Sequence, residues 1–177
     1  MKTIRNNMFE TNSSSTHSIT LRSRDKSSTY FESESADINR FVISLGEYGW
    51  EWKTYDTPTD RLRYLLTQLA ISLGCNTWCD SITEDDIAES KQIIYDSEEW
   101  KEIIECVSKY NDKYQYFEIN SLEGYIDGQS HMSVRDCLWA ANVDTIEDFL
   151  TMDIKIRTGN DNSWDPEDDT EYWWNGK

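Results

Sequence analysis

The segment TPTDRLRYLLTQLAISLG, residues 57–74, restricts the fold more than any other part of the chain. Leu62, Leu65, Leu66, Leu69 and Leu73 recur at three- and four-residue spacing, the pattern of a helix with one apolar stripe. Thr57 is placed to cap it, Pro58 suits the first turn and Gly74 stops it, so the stripe belongs to the core. Two more helices follow the same rules. TEDDIAESKQIIYD has Thr83 as its cap and three acids in the first turn, where the helix dipole favours negative charge. SEEWKEIIECVSKYN has Ser97 as its cap and turns Trp100, Ile103, Ile104 and Val107 inward. Ser133 and Thr145 cap the shorter helices SVRDCLWAAN and TIEDFLTM. A further helix is expected from Ser35, with Ile38, Phe41, Val42 and Leu45 at helical spacing and Gly46 at its end.

Strand patterns flank these helices. Residues 2–23 read as two extended arms around a polar loop, with Ile4 and Met8 on one face of the first and Ile19 and Leu21 on one face of the second. KYQYFEIN and EGYIDGQ read as two strands joined by a short turn. DIKIRTGN is a strand with Ile154 and Ile156 in register, and GEYGWEWKTYD is an aromatic loop or a short strand. The expected fold is therefore α+β: a single domain over 1–177, with a mostly antiparallel sheet and helices packed on one face. Its parts are an N-terminal strand pair, 1–23, a helical middle, 35–111, and an acidic tryptophan-containing tail, 160–177. The hydrophobic fraction of 37% is low for such a core, but eight Trp, ten Tyr and five Phe make up the deficit, each able to bury roughly 150–250 Å².

Charge narrows the function classes. Acids number 34 against 17 bases, a net of −17. Residues 1–26 hold five bases and two acids, net +3, which leaves −20 on the other 151 residues. Direct binding to DNA or RNA is disfavoured for such a surface, because nucleic-acid affinity is largely cationic. It either confers solubility alone or meets a basic partner. No apolar run approaches the roughly 20 residues of a membrane span, and MKTIRNNMFE lacks the apolar core of a secretory signal. A cytoplasmic protein, in the host cell, with no membrane contact is expected. Cys75, Cys79, Cys106 and Cys137 then read as reduced thiols, small buried apolar side chains rather than a zinc site.

Three polar loops follow strands: TNSSSTHS (11–18), DGQSHMS (127–133) and TGNDN (158–162). If those strands are neighbours, the loops gather at one edge of the sheet, together with both histidines. His17, His131 and Asp127 would then be catalytic candidates, and Glu10, Asn12, Ser13, Ser14 and Ser15 a ligand or phosphate loop. Asp127 and Asp161, with Asn160 or Asn162, could hold a divalent metal; otherwise no cofactor is expected. The competing reading is structural, since Asn, Ser and Asp favour turns by bonding nearby backbone. HMS resembles the His-x-Ser step of two-histidine phosphoesterases, but the second copy that chemistry needs is missing. No nucleophile elbow, Walker loop or H-E-x-x-H accompanies the loops.

IRNNMFETNSSSTHSI, with FETNSSSTHS at its centre, resembles the opening signature of an uncharacterised family common in phages and prophages of Gram-positive bacteria. Eight consecutive residues, ETNSSSTH, carry the match. GYIDGQS and TGNDN are similar to later landmarks of that family, which usually has His where this chain has Gly128. The departure weakens a catalytic role for that loop, and residues 35–111 have no counterpart in the resemblance. It implies a phage-linked cytosolic protein and brings no established activity. The first expectation is an acidic protein-binding module, an inhibitor of anti-CRISPR or anti-restriction type whose partner is a host protein with a basic nucleic-acid-binding channel. Its contact residues would be Glu84, Asp85, Asp86, Glu98 and Glu99 at helix starts and Asp165, Glu167, Asp168 and Asp169 in the tail. The alternatives are an enzyme acting on a phosphate-containing or nucleotide-like ligand at the three loops, and a structural or scaffold phage protein.

Overall fold

The leucine stripe forms α1, Pro58–Ser72, in a computed structural model that describes residues 15–26, 29–75, 83–126 and 130–160. The Thr57 hydroxyl accepts from the Asp60 amide, and Gly74, at φ +70°, lets the chain turn away after Leu73. Leu62, Leu65, Leu66 and Leu69 are buried, whereas Leu73, at the end of the helix, is exposed. Four further helices lie among the described residues: α2, Glu84–Asp96; α3, Glu98–Tyr110; α4, Val134–Ala140; and α5, Ile146–Thr151. Each begins on the hydroxyl cap expected of it: Thr83, Ser97, Ser133 and Thr145 accept from the amide three residues on.

The largest sheet is antiparallel. Strand β1, Ser15–Lys26, lies along β7, Met152–Asn160, with Ile19 opposite Ile156 and Leu21 opposite Ile154. Strand β4, Lys53–Tyr55, joins the other edge of β7, with Tyr55 opposite Ile156. Ile19, Tyr55, Ile154 and Ile156 are buried on one face, while Thr20 and Arg22 are exposed on the other. The chain is thus an α+β fold built on a three-stranded antiparallel sheet.

Several local expectations are corrected. The helix predicted from Ser35 is instead a turn followed by β2, Arg40–Ile43. Phe41, Ile43 and Leu45 are buried with period two, and this alternation outweighs the weaker helical spacing. Ser35 does not cap a helix; its hydroxyl accepts from the Asp37 amide, two residues on. KYQYFEIN and EGYIDGQ do contain strands, β5 (Tyr116–Ile119) and β6 (Tyr125–Ile126), but these do not pair with each other. Strand β5 runs parallel to β2, and β6 runs parallel to β3, Glu47–Tyr48. Parallel pairing needs a long crossover, and the crossover from β2 to β5 contains α1, α2 and α3. The middle of the chain is therefore not purely helical. Ser15–Ser18 and Thr158–Asn160, expected in loops, are strand residues: Ser15, Thr16 and His17 pair with Asn160, Gly159 and Thr158, and Ser18 pairs with Arg157. The expected first arm, 2–8, lies outside the described residues.

Gly159 on β7 meets the Trp52 ring, where an added Cβ would stand 2.1 Å from Cδ2. The same ring carries the Arg157 guanidinium at 4.9 Å. Gly159→Ala is expected to cost about 1–3 kcal/mol, since it forces the indole off its seat. Urea denaturation measures this, and an unchanged midpoint would refute the close packing.

Glu147, in the first turn of α5, joins three elements. Its carboxylate accepts from Lys26 at 2.7 Å, from Lys109 at 2.8 Å and from the Tyr110 hydroxyl at 2.8 Å. The hydrogen bond from Lys109, then those from Lys26 and Tyr110, hold the carboxyl down to about 2. A carboxyl depressed in the folded state contributes stability that is complete above its unfolded value of 4.5 and is lost as pH falls toward 2. Glu147→Gln is expected to flatten the stability profile in that window and to cost about 1–2 kcal/mol at neutral pH, after discounting for solvent screening. Denaturant titrations at pH 3 and pH 7 read both effects.

Candidate functional site

The leucines of α1 bury the helix so deeply that the polar residues between them are enclosed too. Arg61, Tyr64, Thr67 and Gln68 are all fully buried, and buried polar groups must find partners. Thr67 donates to the Arg63 carbonyl and accepts from the Gly46 amide. The Gln68 side-chain NH2 donates to the Tyr64 hydroxyl at 3.1 Å and to the Ser130 carbonyl at 3.0 Å. Its oxygen accepts from the Met132 amide at 2.9 Å. Tyr64 Oη in turn lies 3.3 Å from Nδ1 of His17.

This network ties together the described parts of the three polar loops. His17, 6% exposed on β1, stands opposite Thr158 on β7, and Ser15 stands opposite Asn160. Through Tyr64 and Gln68 the same end of the sheet is linked to Ser130 and Met132. The two histidines have different settings. His17 faces inward against Tyr64, whereas the exposed His131 donates from Nε2 to the Ile126 carbonyl at 2.8 Å. Both imidazoles serve bonds that hold the fold. Glu10, Asn12, Ser13, Ser14, Asp127, Asp161 and Asn162 lie outside the described residues. Among the described residues, no group of three or more His, Cys, Asp or Glu is placed to hold a metal ion. Cys75, Cys106 and Cys137 are buried, and burial pushes the Cys106 thiol up to about 12.

The helix-start acids are divided between two places. Asp86 accepts from both the amide and the hydroxyl of Thr83, closing a capping box that holds its carboxyl below the usual range. Glu84 and Asp85 are exposed beside it. Glu98 pairs with Lys101 at 2.6 Å in the first turn of α3. Ser97 both ends α2 and caps α3, so these two acidic starts stand a full helix apart, roughly 20 Å at 1.5 Å per residue. Asp165, Glu167, Asp168 and Asp169 lie outside the described residues.

A feature that the sequence reading missed is a cleft of about 780 Å³ walled by residues 44–51, Lys53, Tyr55, Asp60, Arg63 and Glu34. Four carboxylates reach it, from Glu34, Glu47, Glu51 and Asp60, against two cations, Lys53 and Arg63. Arg63 is committed to Glu34 at 3.1 Å, and Lys53 lies 5.1 Å from the centre of the Tyr55 ring. Burial opposes ionisation of Glu34, but hydrogen bonds from the Ser44 hydroxyl and amide, with Arg63 adding to them, hold its carboxyl below the usual range. Tyr48 forms part of the floor; its ring packs edge-on against Tyr55 and Tyr64 at about 5 Å between ring centroids. Burial, followed by the neighbouring Tyr55, pushes its phenol well above the ordinary value, so it stays protonated. Trp50, 54% exposed, stacks on Tyr125 at the rim. Acid–aromatic alternation in GEYGWEWK was the available signal: on β3, Glu47 is exposed and Tyr48 is buried, and Gly49, at φ +100°, ends the alternation.

No family model, no curated protein sequence and no solved structure matches the chain.

Proposed function

We propose that the protein is an acidic, phage-associated protein-binding module whose target is the basic nucleic-acid channel of a host nuclease, in the manner of an anti-CRISPR or anti-restriction inhibitor. One observation carries this reading: six of the chain's bases are paired with its own acids, while a surplus of carboxylates has no ion pair among the described residues. Arg22 pairs with Asp153 and Asp56, Lys26 and Lys109 with Glu147, Arg40 with Glu118, Arg63 with Glu34, and Lys101 with Glu98. Glu47, Glu51, Glu84, Asp85, Glu89 and Glu102 have no such partner. Arg22 and Lys26 of the N-terminal strand therefore neutralise the protein's own surface, while Arg24 donates to the Asn142 carbonyl, and the net charge of the remainder stays negative. Carboxylates on such a surface stand where phosphates would stand in a cationic channel, which makes encounter fast and salt-sensitive.

The test is capture of host proteins by the full chain at low and high salt, with the captured protein identified by mass. Competition by duplex DNA and repetition with Glu47→Lys/Glu51→Lys and Glu98→Lys/Glu99→Lys complete it. The expected result is a basic nuclease that is released by salt, displaced by DNA and lost with at least one charge reversal. Binding that neither reversal alters would remove the reading.

An enzyme at the polar loops has one observation in its favour, the His17–Tyr64–Gln68 network that draws those loops together. It stands second because His17 is enclosed and His131 is held by a backbone carbonyl. Phosphate-ester turnover that disappears in His131→Ala would reverse the order.

A further inference from the structure

The acidic cleft has a chemical preference that the net charge does not convey. A generic negative patch attracts any cation; a site for one particular group needs acceptors on more than one side of a shaped space. Glu47 comes from β3, Glu51 from the β3–β4 connection and Asp60 from the first turn of α1, so carboxylates reach the cleft from different parts of the chain. Tyr48 supplies an independent observation. Its side chain is 2% exposed, its hydroxyl sits against Gly46 in the cleft wall, and it has no hydrogen bond among the described residues. The hydroxyl oxygen is not among the fully enclosed, unpartnered polar atoms, so it meets solvent in the cleft and is open to whatever displaces that solvent. Gly46 is where that hydroxyl needs room, since a Cβ there would stand 2.5 Å from it.

We infer that the cleft is the seat of an arginine side chain presented by a protein segment, an inference that rests on the protein-binding reading above. A guanidinium carries five N–H donors in a plane, enough to engage carboxylates on two sides and the Tyr48 oxygen at once. An ammonium is a more strongly hydrated point charge and makes fewer directed bonds. The indole of Trp50, exposed at the rim, gives a flat wall on which a guanidinium stacks. The chain already contains such an arrangement two residues along, where Arg157 lies over Trp52. The cleft's volume of about 780 Å³ exceeds one side chain, so residues flanking the arginine enter with it. An acidic cleft that takes arginine fits a partner whose nucleic-acid channel is lined with that residue.

The experiment is an NMR titration of the full chain with four probes: the peptide acetyl-Gly-Arg-Gly-amide, the same peptide with lysine, the same peptide with citrulline, and agmatine. Saturable shifts in residues 46–51 are expected with the arginine peptide, weaker by about tenfold or more with citrulline, its neutral near-isostere. Lysine is expected to bind several-fold more weakly than arginine, and agmatine no more tightly than the arginine peptide. Glu47→Gln/Glu51→Gln should weaken the arginine peptide about tenfold and Tyr48→Phe severalfold, while Glu98→Gln leaves it unchanged. Glu47 and Glu51 are exposed, so their replacement leaves the fold intact. Absence of saturation, equal binding of arginine and citrulline or lysine peptides, or tighter binding of agmatine would each overturn the assignment. If the peptide fails while salt-sensitive capture of a host protein persists and still responds to charge reversal, this inference falls and the broader reading stands. If capture is also indifferent to charge reversal, both fall.

Discussion

Arg61→Met should cost the fold about 3–5 kcal/mol, because it strips donors from a buried set of backbone carbonyls. Arg61 is fully buried in the first turn of α1. Its Nε and Nη2 donate to the Leu150 carbonyl at 3.2 and 2.8 Å, and Nη1 donates to the Ile154 carbonyl at 3.0 Å and to that of Asp56. Those carbonyls lie at the end of α5, on β7 and just before α1, so one guanidinium clamps the helix to the junction that starts the sheet. Burial lowers its affinity for a proton, to a value of about 10, against the raising influence of Asp153 and Asp56, so it stays charged at neutral pH. Methionine fills much of the volume and satisfies none of the carbonyls. Arg61→Lys is expected to recover only part of the loss, since one ammonium cannot reach carbonyls on several sides. Arg63→Met, two residues on and half-buried, is the control and should cost far less. Thermal unfolding decides the matter, with a fall in midpoint temperature of roughly 10 °C expected for Arg61→Met. A loss no larger than that of the control would show that the clamp carries no weight.

Gln68→Leu is the second large effect, expected at about 2–4 kcal/mol. It keeps the shape of the side chain while depriving the Tyr64 hydroxyl, the Ser130 carbonyl and the Met132 amide of their shared partner. Amide exchange adds a local readout: Met132 should lose protection before the strands do. Tyr64→Phe removes only the hydroxyl and should cost about 1 kcal/mol. Because the two residues belong to one network, the double variant should be less damaging than the sum, with a coupling of about 0.5–3 kcal/mol. Strict additivity would mean that His17 and residues 130–132 are not joined through this helix.

The parts of the fold that were legible in the sequence are those that local chemistry decides. Thr57, Thr83, Ser97, Ser133 and Thr145 all cap helices, because a hydroxyl followed by acids has one energetically favoured use. Ile154 and Ile156 alternate with charged residues, and that alternation announced a strand with one buried face. Residues 38–45 defeated the reading because Ile38, Phe41, Val42 and Leu45 fit a helix while Phe41, Ile43 and Leu45 fit a strand. Only pairing with β5, more than seventy residues away, decides between them. Partnering between strands is likewise long-range: a short turn between KYQYFEIN and EGYIDGQ suggests that they pair with each other, whereas β5 and β6 pair with β2 and β3. The cleft escaped notice for a related reason. Glu34, Glu51 and Asp60 carry no motif, and their convergence depends on how the β3–β4 connection lies against α1. Tyr64 and Gln68, one helical turn apart, were overlooked because they sit among leucines that mark the helix as apolar.

Ser97 belongs to two helices at once, with no residue to spare between them. The anionic tips at Glu84–Asp86 and Glu98–Glu99 are consequently set like the jaws of a fixed calliper. Inserting one alanine within α2 would advance the second tip by about 1.5 Å and swing it through about 100°, leaving the charge the same. Any recognition that reads the spacing of these tips should fail in that variant, and any that responds only to total charge should not notice it.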